Sequence, residues 1–227
     1  MRIVVIQATS QISKNALLFN ATKKYARDSE VFNFGCTESD AEKFTYIEIS
    51  LLIGLLISSK AVDFVVTGCS SGQGMMLACN NMPGVLCGYA PGPKDAYLFA
   101  QINTGNAISV PLGEEYTWSG AENLEQTIAS LFSEPFGQGY PKSERERKIR
   151  DSELLKKIRR ISQVDMIEFL ESLDSQLIDK VLMKRDVVDF ILKNGKEIEV
   201  VEWIKNKISK CKNGKRIEYD RTDNKQN

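Results

Sequence analysis

The sequence predicts a doubly wound α/β fold: a five-stranded parallel sheet in a Rossmann-like three-layer sandwich, followed by a C-terminal helical extension. Three observations carry this expectation. Short β-branched runs alternate with helix-compatible stretches five times from the N-terminus onward. The runs Ile3-Val4-Val5-Ile6 and Phe64-Val65-Val66 are apolar at successive positions, as strands buried on both faces should be. The alternation stops at Glu134–Pro141, a segment rich in Gly and Pro, and the chain beyond it is charged and helical in pattern.

Arg2–Ala8 is a β-branched run, polar Thr9, Ser10 and Gln11 turn the chain, and Ile12–Arg27 follows as a helix with Leu17, Leu18 and Tyr25 apolar. The unit then repeats. Glu30–Gly35 reads as a strand and Phe44–Lys60 as a helix; Asp63–Gly68 is a strand and Gly74–Asn81 a short helix. Gly84–Ala90 with Pro93–Ile102 makes the fourth pair, and Ala107–Leu112 with Ala121–Phe132 the fifth. Strands alternating with helices at this spacing imply a parallel sheet covered on both faces.

The division falls at 140. Residues 1–140 hold 8 basic and 13 acidic side chains, whereas 141–227 hold 22 and 17, so the two parts are differently built. In 141–208, a charged helical extension, Leu154, Leu155, Ile158 and Ile161 share one face, as do Ile167, Leu170, Leu173, Leu177, Ile178 and Val181, and later Val201, Ile204 and Ile208. From Ser209 the apolar periodicity is lost, and 209–227 reads as a frayed or disordered tail.

Composition narrows the chemistry. There is no histidine among the 227 residues, which removes the usual neutral-pH acid/base and the commonest zinc ligand. Five cysteines at 36, 69, 79, 87 and 211 form no C-x-x-C pair and suit a reducing cytoplasm better than a disulfide framework. The N-terminus shows no secretory signal pattern, and the longest nearly apolar segment, Ile49 to Ile57, is too short to span a bilayer. No ligand cluster supports a metal or redox cofactor.

The strongest local signal is Thr67-Gly68-Cys69-Ser70-Ser71-Gly72-Gln73-Gly74, a buried strand running into a small-residue loop that opens a helix. In an open α/β sheet, ligands bind at the carboxyl ends of the strands. Loop amides and a helix start hold an anion such as a phosphate or a developing enediolate oxygen, and the same dipole favours a thiolate as nucleophile or base. Equally, Cys69 reads as a small apolar residue that ends a strand. Gly72-x-Gly74 lacks the third glycine of the dinucleotide fingerprint. Cys79 and Cys87, among Met76, Leu77, Val85 and Leu86, read as core filler. Asn103-Thr104-Gly105-Asn106 is a polar turn before the fifth strand. The basic run Arg145-Glu146-Arg147-Lys148-Ile149-Arg150 carries interleaved acids and reads as a solvated, ion-paired face before it reads as a nucleic-acid grip.

Taken together, these motifs resemble the ribose-5-phosphate isomerase B and galactose-6-phosphate isomerase family of aldose–ketose isomerases, over about residues 1–150. The family's C-G-T/S-G-x-G-M reads here as Cys69 to Met75, its A-x-N as Ala78-Cys79-Asn80, and its N-D-A-N as Asn103 to Asn106. Asn33–Gly35 and Tyr46 look like its second-strand end and D-Y-P segment. Residues 151–227 resemble the extension of a longer branch. The resemblance implies proton transfer through a cis-enediol, with Cys69 as base and Ser71 helping to open the sugar ring. It also implies amides from Gly72, Gln73 and Gly74 to the enediolate oxygen, substrate contacts from Thr9, Tyr46, Ser70 and Asn103, and phosphate contacts from Arg145 and Arg147. Where the family has Asp-His this chain has Ala8-Thr9, and the histidine before N-D-A-N is Ile102. Ribose 5-phosphate is therefore expected to be a weak substrate, and an open-chain or unphosphorylated sugar a better one.

The rival expectations are a non-catalytic carbohydrate-binding or regulatory protein on the same scaffold, favoured by the missing histidines, and a nucleic-acid binder using the basic part, disfavoured by few aromatics and interspersed acids. Sheet geometry adds an expectation about assembly. Cys69 ends the third strand, whereas Asn103 precedes the fifth, so the two lie at opposite edges, roughly 17 Å apart for a strand of about five residues. One sugar touching both needs a second subunit, hence a homodimer or higher homo-oligomer with shared sites and a small-molecule sugar as the other partner.

Overall fold

The computed structural model describes residues 1–116 and 118–222, from 211 onward as backbone alone. Its centre is a five-stranded sheet of order β2-β1-β3-β5-β4, built from β1 (Arg2–Val5), β2 (Glu30–Asn33), β3 (Phe64–Cys69), β4 (Cys87–Tyr89) and β5 (Ala107–Pro111). Every pairing is parallel. Each strand is followed by a helix: α1 (Asn15–Tyr25), α2 (Tyr46–Ser58), α3 (Gln73–Asn80), α4 (Pro93–Leu98) and α5 (Gly120–Leu131). A 3-10 turn, Thr9–Lys14, precedes α1, and a π turn, Phe99–Asn103, follows α4. The expected α/β class and strand count stand.

Period-two alternation sends the strand residues to two cores. Ile3, Val5, Phe64, Val66, Ile108 and Val110 pack with α1, α4 and α5 through Leu18, Ala96, Leu124 and Ile128. Val4, Val65 and Ala107 point the other way and join α2, α3 and the C-terminal helices.

Beyond the sheet come α6 (Arg145–Ser162), α7 (Met166–Ser172), α8 (Ser175–Leu182), α9 (Arg185–Asn194) and α10 (Ile198–Thr222). Met166, Leu170, Ile178, Val181, Val188, Ile191 and Trp203 belong to the same apolar core as Val4 and Val65. The reason lies in α2, where every residue from Ile49 to Leu56 is buried. A helix apolar all round must be covered all round, and the extension supplies the outer layer. At Gly54 an added Cβ would stand 2.9 Å from Met166 Cε and 3.1 Å from Met82 Cβ, so α2 touches that layer through bare backbone.

The α10 backbone is helical to Thr222, through a stretch that holds Lys210, Lys212, Lys215, Arg216 and Arg221 and no Pro. Positions 223–227 of the expected tail lie outside the described residues. On α6, Leu154, Ile158 and Ile161 do share a face, but it is 54%, 53% and 75% exposed. The inward face is polar: Ser152 donates to the Asn103 carbonyl at 3.1 Å, Lys156 donates to Thr104 Oγ1 at 2.6 Å, and Arg159 donates to the Asn80 carbonyl. Among the described residues no helix is long and apolar enough to cross a membrane.

Candidate active site

The loop after β3 sits at the carboxyl edge of the sheet, in register with the end of β5: Gly68 pairs with Val110 and Cys69 with Pro111. Its shape is dictated by Gly72, at φ 76°, where a Cβ would meet Tyr89 Cε2 at 2.7 Å and Pro111 N and Val110 C at 2.9 Å. Only glycine takes that conformation and that approach without strain. The Ser109 hydroxyl donates to the Gly72 carbonyl at 2.6 Å, and the Gly113 amide to the Ser70 carbonyl at 2.9 Å, so β5 braces the loop from behind.

Cys69 Sγ turns toward the start of α3 and accepts a hydrogen bond from the Met75 amide at 3.4 Å. The first internal bond of α3 is Met76 N–H to the Gly72 carbonyl, 3.1 Å. The Gln73 and Gly74 amides therefore precede the helical ladder, the position from which helix starts hold anions. The Gly72 amide, expected to join them, instead donates to the Cys69 carbonyl at 3.1 Å, because the tight turn folds it back. A Cβ on Gly74 would stand 3.8 Å from Tyr46 Cε2 and 3.9 Å from Cys69 Sγ, so the tyrosine edge and the sulfur flank one glycine. Thr9 is tied to the segment before Tyr46: its amide donates to the Phe44 carbonyl at 3.0 Å and its Oγ1 accepts from the Phe44 amide at 2.9 Å.

One residue at this edge was not anticipated. Gln11 Nε2 donates to Ser70 Oγ at 2.9 Å and fixes that hydroxyl. It stands in the polar turn after the first strand, where open α/β sheets bind ligands, but nothing local marks Ser70 as the group its amide reaches. Lys14, one 3-10 turn later, pairs with Glu114 at 2.5 Å and stands 4.7 Å over the Trp118 ring, joining the β1 and β5 loops beside Ser70.

The structure thus brings Tyr46 to the loop of Cys69, Ser70, Ser71, Gly72, Gln73 and Gly74 and ties Thr9 to the segment just before Tyr46. It does not bring Asn103, Arg145 and Arg147 to them. Asn103 ends the π turn before β5, whose first residue Ala107 pairs with Val65, at the amino end of β3. Arg145 donates to Gln138 at 3.2 Å, and Arg147 pairs with Glu144 at 2.5 Å and Asp151 at 3.0 Å. The Gly139 amide donates to the Gln101 carbonyl at 2.9 Å, which holds this arginine-bearing segment to the same π turn.

Three other thiols among the described residues are buried. Cys79 and Cys87 are 0% and 6% exposed, and the Cys87 thiol is pushed well above its usual range by its hydrogen bond with Cys79 and by burial. Burial likewise raises Cys36. Cys36 lies on the loop after β2 but is fully buried, whereas Cys69, at the end of β3, is partly exposed at the ligand edge.

A braced small-residue loop and a helix start stand at the carboxyl edge of an open parallel sheet, the edge at which proteins of this architecture bind their ligands. The profile of the family described as Ribose/Galactose Isomerase matches residues 3–150. The chain belongs to that family. No curated protein matches it. A crystal structure of a 4-deoxy-L-threo-5-hexosulose-uronate ketol-isomerase complexed with a tartrate is 34% identical, with TM-score 0.86 over 92% of this chain and 100% of that one. Ribose-5-phosphate isomerase LacAB_rpiB from Vibrio parahaemolyticus is 32% identical, with TM-score 0.84 over 91% and 99%. A type B ribose 5-phosphate isomerase from Trypanosoma cruzi, 23% identical, shares the fold with TM-score 0.57 over 70% of this chain and 98% of its own.

Proposed function

We propose that the chain is an aldose–ketose isomerase, an intramolecular oxidoreductase acting on a sugar phosphate or a related open-chain sugar by cysteine-based proton transfer through a cis-enediol. The observation that carries the reading is Cys69 Sγ at the carboxyl end of β3, bonded to the Met75 amide beside the unpaired start of α3. The Cys69 thiolate takes the proton from the hydroxyl-bearing carbon next to the carbonyl. The C–H electron pair forms the enediolate double bond and the carbonyl pair moves onto oxygen, where the Gln73 and Gly74 amides stabilise the charge. Return of the proton to the neighbouring carbon, with the hydroxyl proton passing between the two oxygens, completes the shift. Ser71 assists ring opening, while Thr9, Tyr46 and Ser70 contact sugar hydroxyls. This step balances without a cofactor. Dependence on a free thiol suits the reducing cytoplasm.

Two observations favour a carboxylate-bearing or unphosphorylated open-chain sugar over ribose 5-phosphate. The 34% identical relative is named for a hexosulose-uronate, and Arg147 is held by two carboxylates of its own helix turn. The test is a screen of phosphorylated pentoses and hexoses and open-chain hexuronates in D2O, following isomerisation and deuterium incorporation. We expect turnover of at least one sugar and little of ribose 5-phosphate; turnover of ribose 5-phosphate with kcat on the order of 10 per second would overturn the preference. Binding without exchange for every sugar would leave the non-catalytic carbohydrate-binding alternative.

The separation of Cys69 from Asn103 and the arginines supports a site completed by a second copy, and α6 supports the same assembly. A helix that turns Ser152, Lys156 and Arg159 inward and Leu154, Ile158 and Ile161 outward presents its apolar face to a partner. A two-fold pairing places the amino-edge residues of one copy against the Cys69 loop of the other. Mixing inactive Cys69→Ala with inactive Asn103→Ala, after dissociation and reassembly, is expected to restore activity, because each heterodimer has one intact site. A fully active monomer in sedimentation, or no recovery despite subunit exchange, would count against sharing.

A further inference from the structure

The family profile ends at residue 150, yet the extension reaches the wall of the site. Lys184, in the turn between α8 and α9, is 4% exposed, a burial that lysine tolerates only when paired. Its Nζ lies 2.9 Å from Asp186 Oδ2 and 3.5 Å from Asp40 Oδ2. Asp186 is its own near neighbour, but Asp40 belongs to the loop joining β2 to α2. That loop is organised around the same carboxylate: Asp40 accepts from the Thr37 amide at 3.0 Å and the Thr37 hydroxyl at 3.3 Å. Lys180, on the last turn of α8, pairs with Glu42 of the loop and stands 5.2 Å over the Phe44 ring. The loop then runs directly into the site. Phe44 is bonded to Thr9 through both its amide and its carbonyl, Thr45 caps α2, and the first residue of α2 is Tyr46, whose ring edge stands beside Gly74, the glycine that Cys69 Sγ also flanks.

We propose that Lys180 and Lys184 are positioning residues, a two-lysine clamp by which the extension fixes loop 36–45 and so holds Tyr46 and Thr9 against the sugar. The inference rests on the isomerase reading for its functional half. Without the clamp, the loop loses its ion pairs to the helical layer and keeps only the packing of Cys36 and Phe44 against it. The Cys69 thiol, bonded to α3 on the other side, keeps its place. Substrate is then bound less well, while the proton-transfer step on bound substrate is little changed.

The test uses the full chain in two variants that cut the clamp from opposite ends: Lys180→Met with Lys184→Met, and Asp40→Asn with Glu42→Gln. The second pair lies on a more exposed loop and keeps the experiment decisive if buried Lys184 is needed for folding. Hydrogen exchange of 36–45 is expected to rise about tenfold or more in each, with β3 within about twofold of the unaltered chain. On the best sugar from the screen, KM is expected to rise about fivefold or more with kcat within about threefold. Unchanged exchange in 36–45, or β3 loosened as much as the loop, would overturn the clamp. A loosened loop with kcat lost and KM kept would overturn its role in substrate positioning. Absence of isomerisation by the unaltered chain, with the loop loosened as expected, would overturn the isomerase reading and leave the clamp a purely structural one.

Discussion

Replacing Cys69 with alanine is expected to leave a folded chain whose isomerisation and solvent-proton exchange are lower by about a thousandfold or more, within the range that a positioned acid/base group supplies. The sulfur is half-buried at the end of a strand and its hydrogen bond is to a helix-start amide, so its loss opens no sealed cavity. Cys79 and Cys87 supply the control. Both are buried, so alanine there should cost about 1 kcal/mol or more of stability through the cavity left behind while turnover per folded molecule stays the same. Thermal melts and single-turnover rates on all three variants separate the two effects. Near-normal turnover of Cys69→Ala on a verified substrate would remove the thiol from the mechanism.

The central sheet was legible because each strand is short, β-branched and bounded by a turn: Ile3 to Ile6 and Phe64 to Val66 have no other stable use than a doubly covered strand. The loop at Cys69 was legible because Gly72 and its small neighbours leave the chain little choice but a tight turn. Gln11 escaped notice because a glutamine after a strand carries no local mark of what its amide reaches; only the fold brings Ser70 to it. The stripe Leu154, Ile158 and Ile161 was visible as a stripe, yet periodicity reports that a face is apolar and not what covers it. In α6 the chain's own core takes the polar side, through Ser152 and Lys156, a choice made by the carbonyl of Asn103 and the hydroxyl of Thr104. The clamp was invisible for a similar reason. Lys180 and Lys184 stand among thirty basic residues, and nothing local distinguishes a buried lysine from a solvated one.

The apolar run in α2 is the clue with the largest consequence. A helix on the face of an ordinary three-layer sandwich shows one polar side to water, whereas Ile49 to Leu56 is buried throughout. A chain ended at Gln163 is therefore expected to be insoluble or loosely packed. Removing α7 to α10 takes away Met166, Leu170, Val181, Val188 and Ile191, and bares the outward residues of α2 together with Gly54. Each aliphatic side chain returned to water loses about 1.5–3 kcal/mol, and a domain is stable by only about 5–15 kcal/mol, so a handful of such exposures suffices. The trypanosomal structure matches over 70% of this chain and 98% of its own; here α2 is buried from Ile49 to Leu56, and the extension packs in the same core. Expression of 1–163 beside the full chain, with near-UV circular dichroism, a hydrophobic dye and a thermal melt, checks this. Lost near-UV signal, dye binding or aggregation is the expected result. A soluble 1–163 with a cooperative melt close to that of the full chain would show instead that the sheet, its four other flanking helices and α6 hold α2 unaided.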